Sequence, residues 1–541
     1  METICTQSLR LADPSEANPV KLALGDLLHQ KAVQHPDREA VVYACHNEVE
    51  NVRWSYRQLD EMASTLASVL VTAGYQAGDK VAIWAPNSPE WILLEYALAK
   101  AGLIIVALNP LYKKTELEYA LNASDVKGIF HADSVSGHAL RTIIDAVRDK
   151  VPCLEDVYSL TGDIPQMLQQ RGNPPILPLV DADSCLMIQY TSGTTGQPKA
   201  AQLSHRGVAT TARNSYLTWG FGENDRVCHG FPLFHVGGSG NSTPGAALVG
   251  ATTLPLYMFK AERTLDILEQ ERCTGFIGVP SMLTAMMEHD SFIQRDFSTL
   301  KYIVVGGACV PASLINQCEC AFGVEIINGY GQTETSGVSA STITSDSAEI
   351  KSTTSGKPLP GVSFKVVNKN GGIQPCNSTG ELCYKGPGTM LGYRNHADPS
   401  GVFDDEGWLY SGDLATMNES GYIRIVGRAK EMIIRGGENL SPSEIEIFLC
   451  QHPDVAEAAV LGLPDYKYGE EVCAVLLPAK PDHASAKNIR EWCLENLSRW
   501  KVPRYITFCD HLPKTASGKV QKFLLKEAMI KHFNLQPQAA E

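Results

Sequence analysis

The chain has 541 residues, which at roughly 150 residues per domain predicts three or four domain-sized units. Hydrophobic residues make up 44% and charged residues 20%, and that balance excludes an intrinsically disordered chain. Lys plus Arg number 46 against 60 for Asp plus Glu, so the net charge is −14 and a nucleic-acid polymer, which demands positive surface, is excluded as a general partner.

The first residues, METICTQSLRLADPSEANPV, lack a basic cluster followed by an apolar core, so no secretory signal is expected. No apolar run reaches the ~20 residues that span a bilayer. The 15 cysteines are scattered; only Cys318 and Cys320 are close, and Cys-Glu-Cys fits no zinc spacing. An odd number in a chain long enough to build a core without staples predicts reduced thiols and a cytoplasmic protein.

Strand and helix signals alternate from residue 80. Lys80 to Trp84 reads as a strand, and Ser88-Pro89-Glu90 opens a helix to about Lys100, with Ser as cap and Pro in the first turn. Leu103 to Leu108 is a second strand, Lys114 to Ala123 a second helix and Val126 to Phe130 a third strand. This rhythm predicts mostly parallel sheet covered by helices on both faces, and it recurs at Phe276 to Val279, Lys301 to Gly306 and Glu325 to Ile327. From about Ser355, short strands and Gly-rich turns predict a small antiparallel, β-barrel-like unit. After Gly427 comes a compact tail: a hairpin (Ala458 to Leu463, Val472 to Leu477), a helix (Ala486 to Leu497), a strand (Tyr505 to Phe508) and a last helix (Val520 to His532). The expected organisation is thus an α/β multidomain protein. Residues 1–427 form a large N-terminal body of two α/β layers with the β unit at about 355–427. Residues 428–541 form a small α+β domain.

Five segments carry chemistry. Tyr190-Thr-Ser-Gly-Thr-Thr-Gly-Gln-Pro-Lys199 follows an apolar strand. Its small residues let several backbone N–H groups converge on an anion; Thr191, Ser192, Thr194 and Thr195 add hydroxyls and Lys199 a charge. It suits a triphosphate, although Gln197-Pro198 after Gly196 rules out a Walker A loop. In Asn328-Gly-Tyr-Gly-Gln-Thr-Glu334, Gly329 and Gly331 permit close approach of a flat ligand and Tyr330 can stack on a base. Thr333 can meet a phosphate oxygen, and Glu334 is a hard ligand suited to Mg²⁺. Tyr410-Ser-Gly-Asp413 offers a carboxylate for a ribose diol. The fourth segment runs from Gly427-Arg428-Ala-Lys430 to Arg435-Gly-Gly-Glu-Asn439. The fifth, Lys514-Thr-Ala-Ser-Gly-Lys519, presents a lysine at a loop end.

In this order and at these separations the five segments resemble the acyl-adenylate-forming superfamily of acyl-CoA synthetases, beetle luciferases and peptide-synthetase adenylation domains. The resemblance runs from about Leu27 to about Leu535 and is strongest to medium-chain acyl-CoA and 4-coumarate–CoA ligase-type enzymes. It implies ATP-dependent activation of a carboxylic acid to an acyl-AMP, with pyrophosphate release, then transfer to the thiol of coenzyme A. The alternative is a stand-alone adenylating enzyme that passes the acyl group to a carrier-protein phosphopantetheine or an amine. The implied nucleotide site comprises Thr191, Ser192, Gly193, Thr194, Thr195, Gly196, Lys199, Gly307, Ala308, Asn328, Gly329, Tyr330, Gly331, Thr333, Asp413, Ile425, Arg428 and Lys519. Lys519, Thr333, Glu334 and His235 carry catalysis, and Glu334 with Thr191 holds Mg²⁺. Lys430 is the hinge, Arg435, Gly436, Gly437 and Glu438 line the CoA tunnel, and His235, Val236, Gly306 and Gly331 border the acyl pocket.

Two positions depart from the pattern: Ala200 replaces a glycine after the loop lysine, and Ile434 replaces a second lysine of the coumarate ligases. Because no charged residue near the pocket stretches except Asp225 suits an α-amino group, an apolar acid, medium-chain or aromatic, is expected. Lys501, Arg504, Lys514, Lys519, Lys522, Lys526 and Lys531 predict a local positive field for an anionic partner such as the CoA 3′-phosphate. The expected partners are therefore the acid, ATP and CoA, or an acyl carrier protein in the alternative, acting on a monomer or homodimer.

Overall fold

A computed structural model describes residues 6–13, 18–44, 51–170, 175–191, 198–307, 310, 312–394, 402–435, 438–480, 485–515 and 519–535. The chain divides into two compact units. The larger holds Arg10–Phe364 and Tyr384–Leu409; the smaller holds Met1–Leu9, Lys365–Cys383 and Tyr410–Glu541.

Two sheets organise the larger unit. The first has seven strands in the order Gly392–Arg394, Lys199–Ser204, Cys185–Thr191, Ile104–Leu108, Lys80–Trp84, Val126–His131 and Asp156–Ser159. Pairing is parallel from Cys185–Thr191 onward and antiparallel at the other edge. The strand Lys80–Trp84 is an interior strand next to the central Ile104–Leu108, and its last four residues are buried, as a sheet covered on both faces requires. The crossover helix Pro89–Lys100 follows the sequence signals closely. Ser88 Oγ accepts the Trp91 N–H at 3.2 Å, Pro89 fills the first turn, and Gly102 turns the chain out at φ +68°. Almost every side chain of that helix is buried, which marks an interior helix rather than an amphipathic one.

The second sheet has nine strands: Lys357–Pro358, Gly337–Ser341, Glu325–Gln332, Tyr302–Gly306, Gly275–Gly278, Arg226–His229, Thr252–Pro255, Glu39–Tyr43 and Val52–Ser55. From Glu325–Gln332 to Glu39–Tyr43 the pairing is parallel. Period-two alternation sends Ile303 and Val305 into the core on one face and Val304 into a second core on the other. The strand read from sequence as Glu325 to Ile327 runs on to Gln332 in the structure. It continues because Gly337–Ser341 folds back and pairs with it through a bulge at Tyr330/Gly331. Helices at Tyr56–Thr72 and His205–Thr218 add to those expected; Ser55 and Gln58 close a capping box on the first.

The smaller unit centres on two five-stranded sheets. One runs Leu9–Arg10, Ser363–Val367, Gly380–Lys385, Leu409–Met417, Ile423–Arg428. The other joins Glu438–Leu440, Ile433–Arg435, Gly469–Pro478 and Val455–Asp465, with Tyr505–Phe508 pairing in parallel onto Gly469–Pro478. Val460, Val472 and Ala474 face Ile489 and Cys493, while Leu461, Cys473 and Val475 face Leu525, so the long hairpin has a core on each side. Residues 365–383 and 410–427, placed by sequence texture with the N-terminal body, group here with the C-terminal tail. The twelve described cysteines are all free thiols. Among the described residues, no helix is long and apolar enough to cross a membrane.

Two histidines in the larger unit are buried and neutral. Burial pushes both His205 and His229 down to about 4 from an ordinary 6.5. Between pH 6.5 and 4 the unfolded chain binds these protons and the folded chain does not, so stability must fall as pH drops through that window. The expected loss is on the order of 3 kcal/mol per histidine. Urea denaturation at several pH values checks this: replacing both (His205→Asn, His229→Leu) should flatten the acid limb, and an unchanged slope would refute the assignment.

Candidate active site

The glycine-rich segment begins where two antiparallel strands end. Thr191 pairs with Lys199 as the last rung of Cys185–Thr191 against Lys199–Ser204. Ser192, Gly193, Thr194, Thr195 and Gly196 lie outside the described residues, so the structure shows the frame of the loop. That frame is well tied. Tyr190 Oη donates to the Ala120 carbonyl at 2.7 Å and lies 2.7 Å from Ser124 Oγ; Tyr119 Oη donates to the Pro198 carbonyl at 3.1 Å. The two tyrosine rings meet edge to face. Ala200 is buried, and its methyl packs into the core of the seven-stranded sheet.

The Asn328–Glu334 segment is set beside the strand Tyr302–Gly306 by parallel register, Val305 against Asn328 and Gly306 against Gly329. Asn328 is fixed at both ends: its N–H donates to Thr342 Oγ1 at 2.9 Å and its amide to the Thr354 carbonyl at 3.1 Å. At Gly331 a side chain is impossible, since a Cβ would stand 2.0 Å from the Gly337 carbonyl oxygen. The chain then makes one tight turn, Thr333–Thr335, and leaves through Ser336 at φ +55°. Ser336 Oγ donates to the Gly388 carbonyl at 2.8 Å, a buried bond that holds this left-handed residue. Thr333 is buried, and Tyr330 and Glu334 are half-buried. Gln332 Nε2 is buried without a hydrogen-bond partner among the described residues, a donor left over beside the glycine cradle.

Tyr393 links the two segments, and none of the sequence signals pointed to it. Its hydroxyl donates to Glu334 Oε1 at 2.6 Å, and Lys199 Nζ sits 4.8 Å above its ring. It lies on the three-residue edge strand Gly392–Arg394, too short to leave a periodic pattern. Glu334 thus keeps one carboxylate oxygen for a cation, and a hard divalent ion such as Mg²⁺ fits that donor.

The acyl side is built on the second sheet. Asn87, buried, donates to the Phe231 and Leu256 carbonyls at 3.0 and 2.8 Å and accepts the Leu233 N–H at 2.6 Å, which sets the path into His235. His235 is half-buried, and its Nδ1 accepts the Gly237 N–H at 3.1 Å, opening a π-helical segment Val236–Ser242. Gly238 is obligatory there: a Cβ would lie 2.3 Å from the Pro232 carbonyl oxygen. Val236 is buried. Gly306 and Gly329 stand side by side and leave two neighbouring positions of the sheet without side chains, a trough in that sense, with Phe231 and Val279 flanking Gly307 and Trp219 and Val338 flanking Gly329. Ala308 lies outside the described residues. Asp225 is not available to an amine: it is buried, accepts the Gly222 N–H and pairs with Lys301 at 2.8 Å, before the first residue of its strand and so away from the trough.

In the smaller unit Asp413 is buried on Leu409–Met417 and cross-strand from Arg428, whose Nε lies 3.0 Å from Asp413 Oδ1. Ile425 is half-buried on the same partner strand. Lys430 is exposed in the single turn Ala429–Glu431 that separates the unit's two sheets. Arg435 is enclosed by its own domain. Its guanidinium forks onto Glu471 at 2.8 Å on both arms, donates to the Trp500 carbonyl and stacks between the Tyr468 and Trp500 rings. Gly436 and Gly437 lie outside the described residues, and Glu438 begins the strand Glu438–Leu440. Lys519 is exposed, with its N–H donating to Thr515 Oγ1 at 3.2 Å and its carbonyl accepting the Thr515 N–H at 2.7 Å. The positive field expected of the tail is largely neutralised, because Lys501, Arg504, Lys514, Lys522 and Lys526 each have a carboxylate partner.

Comparison with known proteins gives the chain a class. The family model described as AMP-binding enzyme matches residues 28–394, and that of the AMP-binding enzyme C-terminal domain matches 444–519. A putative acyl-CoA synthetase, YngI, of Bacillus subtilis is 35% identical, covering 96% of this chain and 99% of that protein. The mitochondrial medium-chain acyl-CoA ligase ACSF2 of Bos taurus is 34% identical over 95% and 88%. Among solved structures, ATP-bound MatB of Rhodopseudomonas palustris superposes with a TM-score of 0.86 at 28% identity, covering 95% of this chain and all of that one. The anthranilate CoA ligase AuaEII with anthranoyl-AMP gives 0.87 at 27% identity, over 96% and 99%. The chain belongs to the AMP-binding enzyme family. Within that family it is an acyl-CoA synthetase, an AMP-forming acid–CoA ligase that uses ATP and CoA.

Two outcomes follow from the geometry. Tyr393→Phe removes the hydrogen bond that orients Glu334, worth about 1.5–3 kcal/mol for a charged acceptor, so kcat/KM for ATP should fall roughly tenfold or more with little change in melting temperature. Glu471→Ala strands the Arg435 guanidinium in a buried setting and should cost about 3–5 kcal/mol of stability, read by urea denaturation; a loss below 1 kcal/mol would contradict the pairing.

Proposed function

We propose that the acid is an apolar one, medium-chain or aromatic, and that the residues divide the reaction as follows. The observation that carries the choice of acid is the trough over Gly306 and Gly329, whose walls are Phe231, Val279, Trp219 and Val338, together with the commitment of Asp225, the carboxylate that the sequence offered for an amine, to Lys301. An α-ammonium group would find no counter-charge there. Two of the similar proteins, a medium-chain acyl-CoA ligase and an anthranilate CoA ligase, support both arms of that reading.

In the first step the carboxylate attacks the α-phosphorus of ATP and pyrophosphate leaves. Charge builds on the transferring phosphoryl group. Thr333 and Lys519 are the donors we assign to it, and the Thr191–Lys199 loop holds the departing phosphates. Thr191, Ser192, Gly193, Thr194, Thr195, Gly196 and Lys199 form that cradle. Tyr330 stacks on the adenine, Asn328, Gly329 and Gly331 bound its pocket, and Gly307 and Ala308 complete the wall. Asp413 accepts the ribose hydroxyls, with Arg428 and Ile425 beside it. Mg²⁺, when bound, neutralises phosphate oxygens, and Glu334 with Thr191 is the donor set that fits it. In the second step the CoA thiol attacks the acyl-AMP carbonyl and AMP leaves. Lys430, exposed between two sheets, is the assigned pivot for the residues 428–541. The segment Arg435 to Glu438 borders the thiol's path through its backbone, since the Arg435 side chain is taken by Glu471. His235 and Val236 border the acyl group. The enzyme works in the cytoplasm, with its thiols reduced.

A panel of carboxylic acids assayed for pyrophosphate release, with and without CoA and with product mass, tests the reading. Hexanoate through dodecanoate and simple benzoates should be turned over and α-amino acids should not; preferred turnover of an amino acid would overturn it. A phosphopantetheinylated carrier protein in place of CoA should give far less thioester. Lys519→Ala should slow adenylation by on the order of 10²-fold while leaving thioester formation from preformed acyl-AMP much less affected; equal losses in both half-reactions would refute its role. Lys430→Pro should impair the second half-reaction more than the first.

A further inference from the structure

Register sorts the inner residues of the nine-stranded sheet into rows. His229 pairs with Ile277, Ile277 with Val304 and Val304 with Ile327, so these four side chains share a row and a face. Val227, two residues before His229, belongs to the same hydrophobic cluster as Ile277, Val304, Ile327, Trp219, Phe231 and Val279, whereas Cys228 belongs to the core on the opposite face. In the next row toward the strand ends Gly306 pairs with Gly329, and Phe231 and Val279, just past the ends of their own strands, belong to the same cluster; this is the trough. His229 therefore stands on the trough's own face, one row deeper.

Its chemistry is out of keeping with that setting. The ring is fully buried, and neither nitrogen has a hydrogen-bond partner among the described residues. The Phe231 carbonyl is near enough to exert a weak pull on the ring, but that oxygen already accepts from Asn87 at 3.0 Å. A buried polar group left unmade costs about 1–3 kcal/mol, and the neighbouring Ile277, Val304 and Ile327 show what the sheet uses where only packing matters.

We propose that His229 is a specificity-determining residue of the acyl site: its imidazole hydrogen-bonds a neutral oxygen, hydroxyl or keto, carried near the far end of a medium-chain acyl group. This rests on the reading of the trough as the acyl site. One row is roughly 7 Å of strand and two strand gaps are about 9.5 Å, so the ring lies roughly 12 Å from Gly306, the reach of a medium-chain tail. A neutral ring can donate to or accept from an alcohol or ketone, whereas a terminal carboxylate would be a bare charge among apolar side chains.

The test compares kcat/KM in the CoA-thioester assay for decanoate, ω-hydroxydecanoate and the dicarboxylate sebacate. Wild-type enzyme should prefer ω-hydroxydecanoate over decanoate by about tenfold, one hydrogen bond's worth of discrimination, and should reject sebacate. His229→Leu should bring the hydroxy-to-alkyl ratio to one or below, and His229→Gln, which keeps a donor and an acceptor, should retain part of it. A wild-type ratio of one or less overturns the proposal without any variant, and so does a ratio that survives His229→Leu. Turnover of none of the three acids, with turnover of amino acids instead, would overturn the reading of the trough itself.

Discussion

Everything at the larger unit's site depends on backbone register between parallel strands. Once Val305 is hydrogen-bonded against Asn328, Gly306 must face Gly329, and two missing side chains open the same stretch of sheet. The register cannot slip by one residue without sending Val304 and Ile327 to the wrong core and filling the trough. The same rule places Gly331 where only a glycine clears the Gly337 carbonyl. The candidate site is thus shaped by what the strands omit, and the polar groups beside it, Thr333, Glu334 and Gln332, are set by the turn that follows.

The smaller unit solves a different problem. It is rich in cations, several of which are spent on carboxylates of its own surface, and one of them, Arg435, is held between two rings and a buried glutamate. Such an arrangement adds less to stability than its number of contacts suggests, because removing both charges from water is expensive. Its value is geometric: it holds Ile433–Arg435 at a fixed angle to the long hairpin that carries Glu471. The exposed turn Ala429–Glu431 joins this sheet to the one that ends at Arg428.

Much of this was legible in the amino-acid sequence, for physical reasons that can be named. The strand Lys80–Trp84 and the helix Lys114–Ala123 fall where apolar runs and turn residues put them, and Ser88-Pro89 marks its helix start. The glycine-rich segment 191–199 and the Asn328–Glu334 turn stood out because small residues in unbroken runs have few other uses; residues 192–197 lie outside the described residues, and the turn at Thr333–Thr335 forms as a tight turn. Tyr393 was invisible because a three-residue edge strand has no period. The pairing of Asp225 with Lys301, and of the tail lysines with their carboxylates, joins residues far apart in the chain and leaves no local mark. His229 looked like any residue of an apolar strand until register put it one row below two glycines.

The edge of the nine-stranded sheet carries a kinetic consequence. Glu39–Tyr43 finds its parallel partner in Thr252–Pro255, and the hydrogen bond from Thr252 Oγ1 to the Glu39 carbonyl spans 213 positions. On a ribosome adding about 5–20 residues per second, the early strand waits roughly 10–40 s for its neighbour, exposing valines and an unpaired edge in the meantime. The antiparallel strand Val52–Ser55 arrives first and covers one side of it. That small hairpin keeps the nascent chain out of trouble during the longest delay in assembling the sheet, well before any substrate is met.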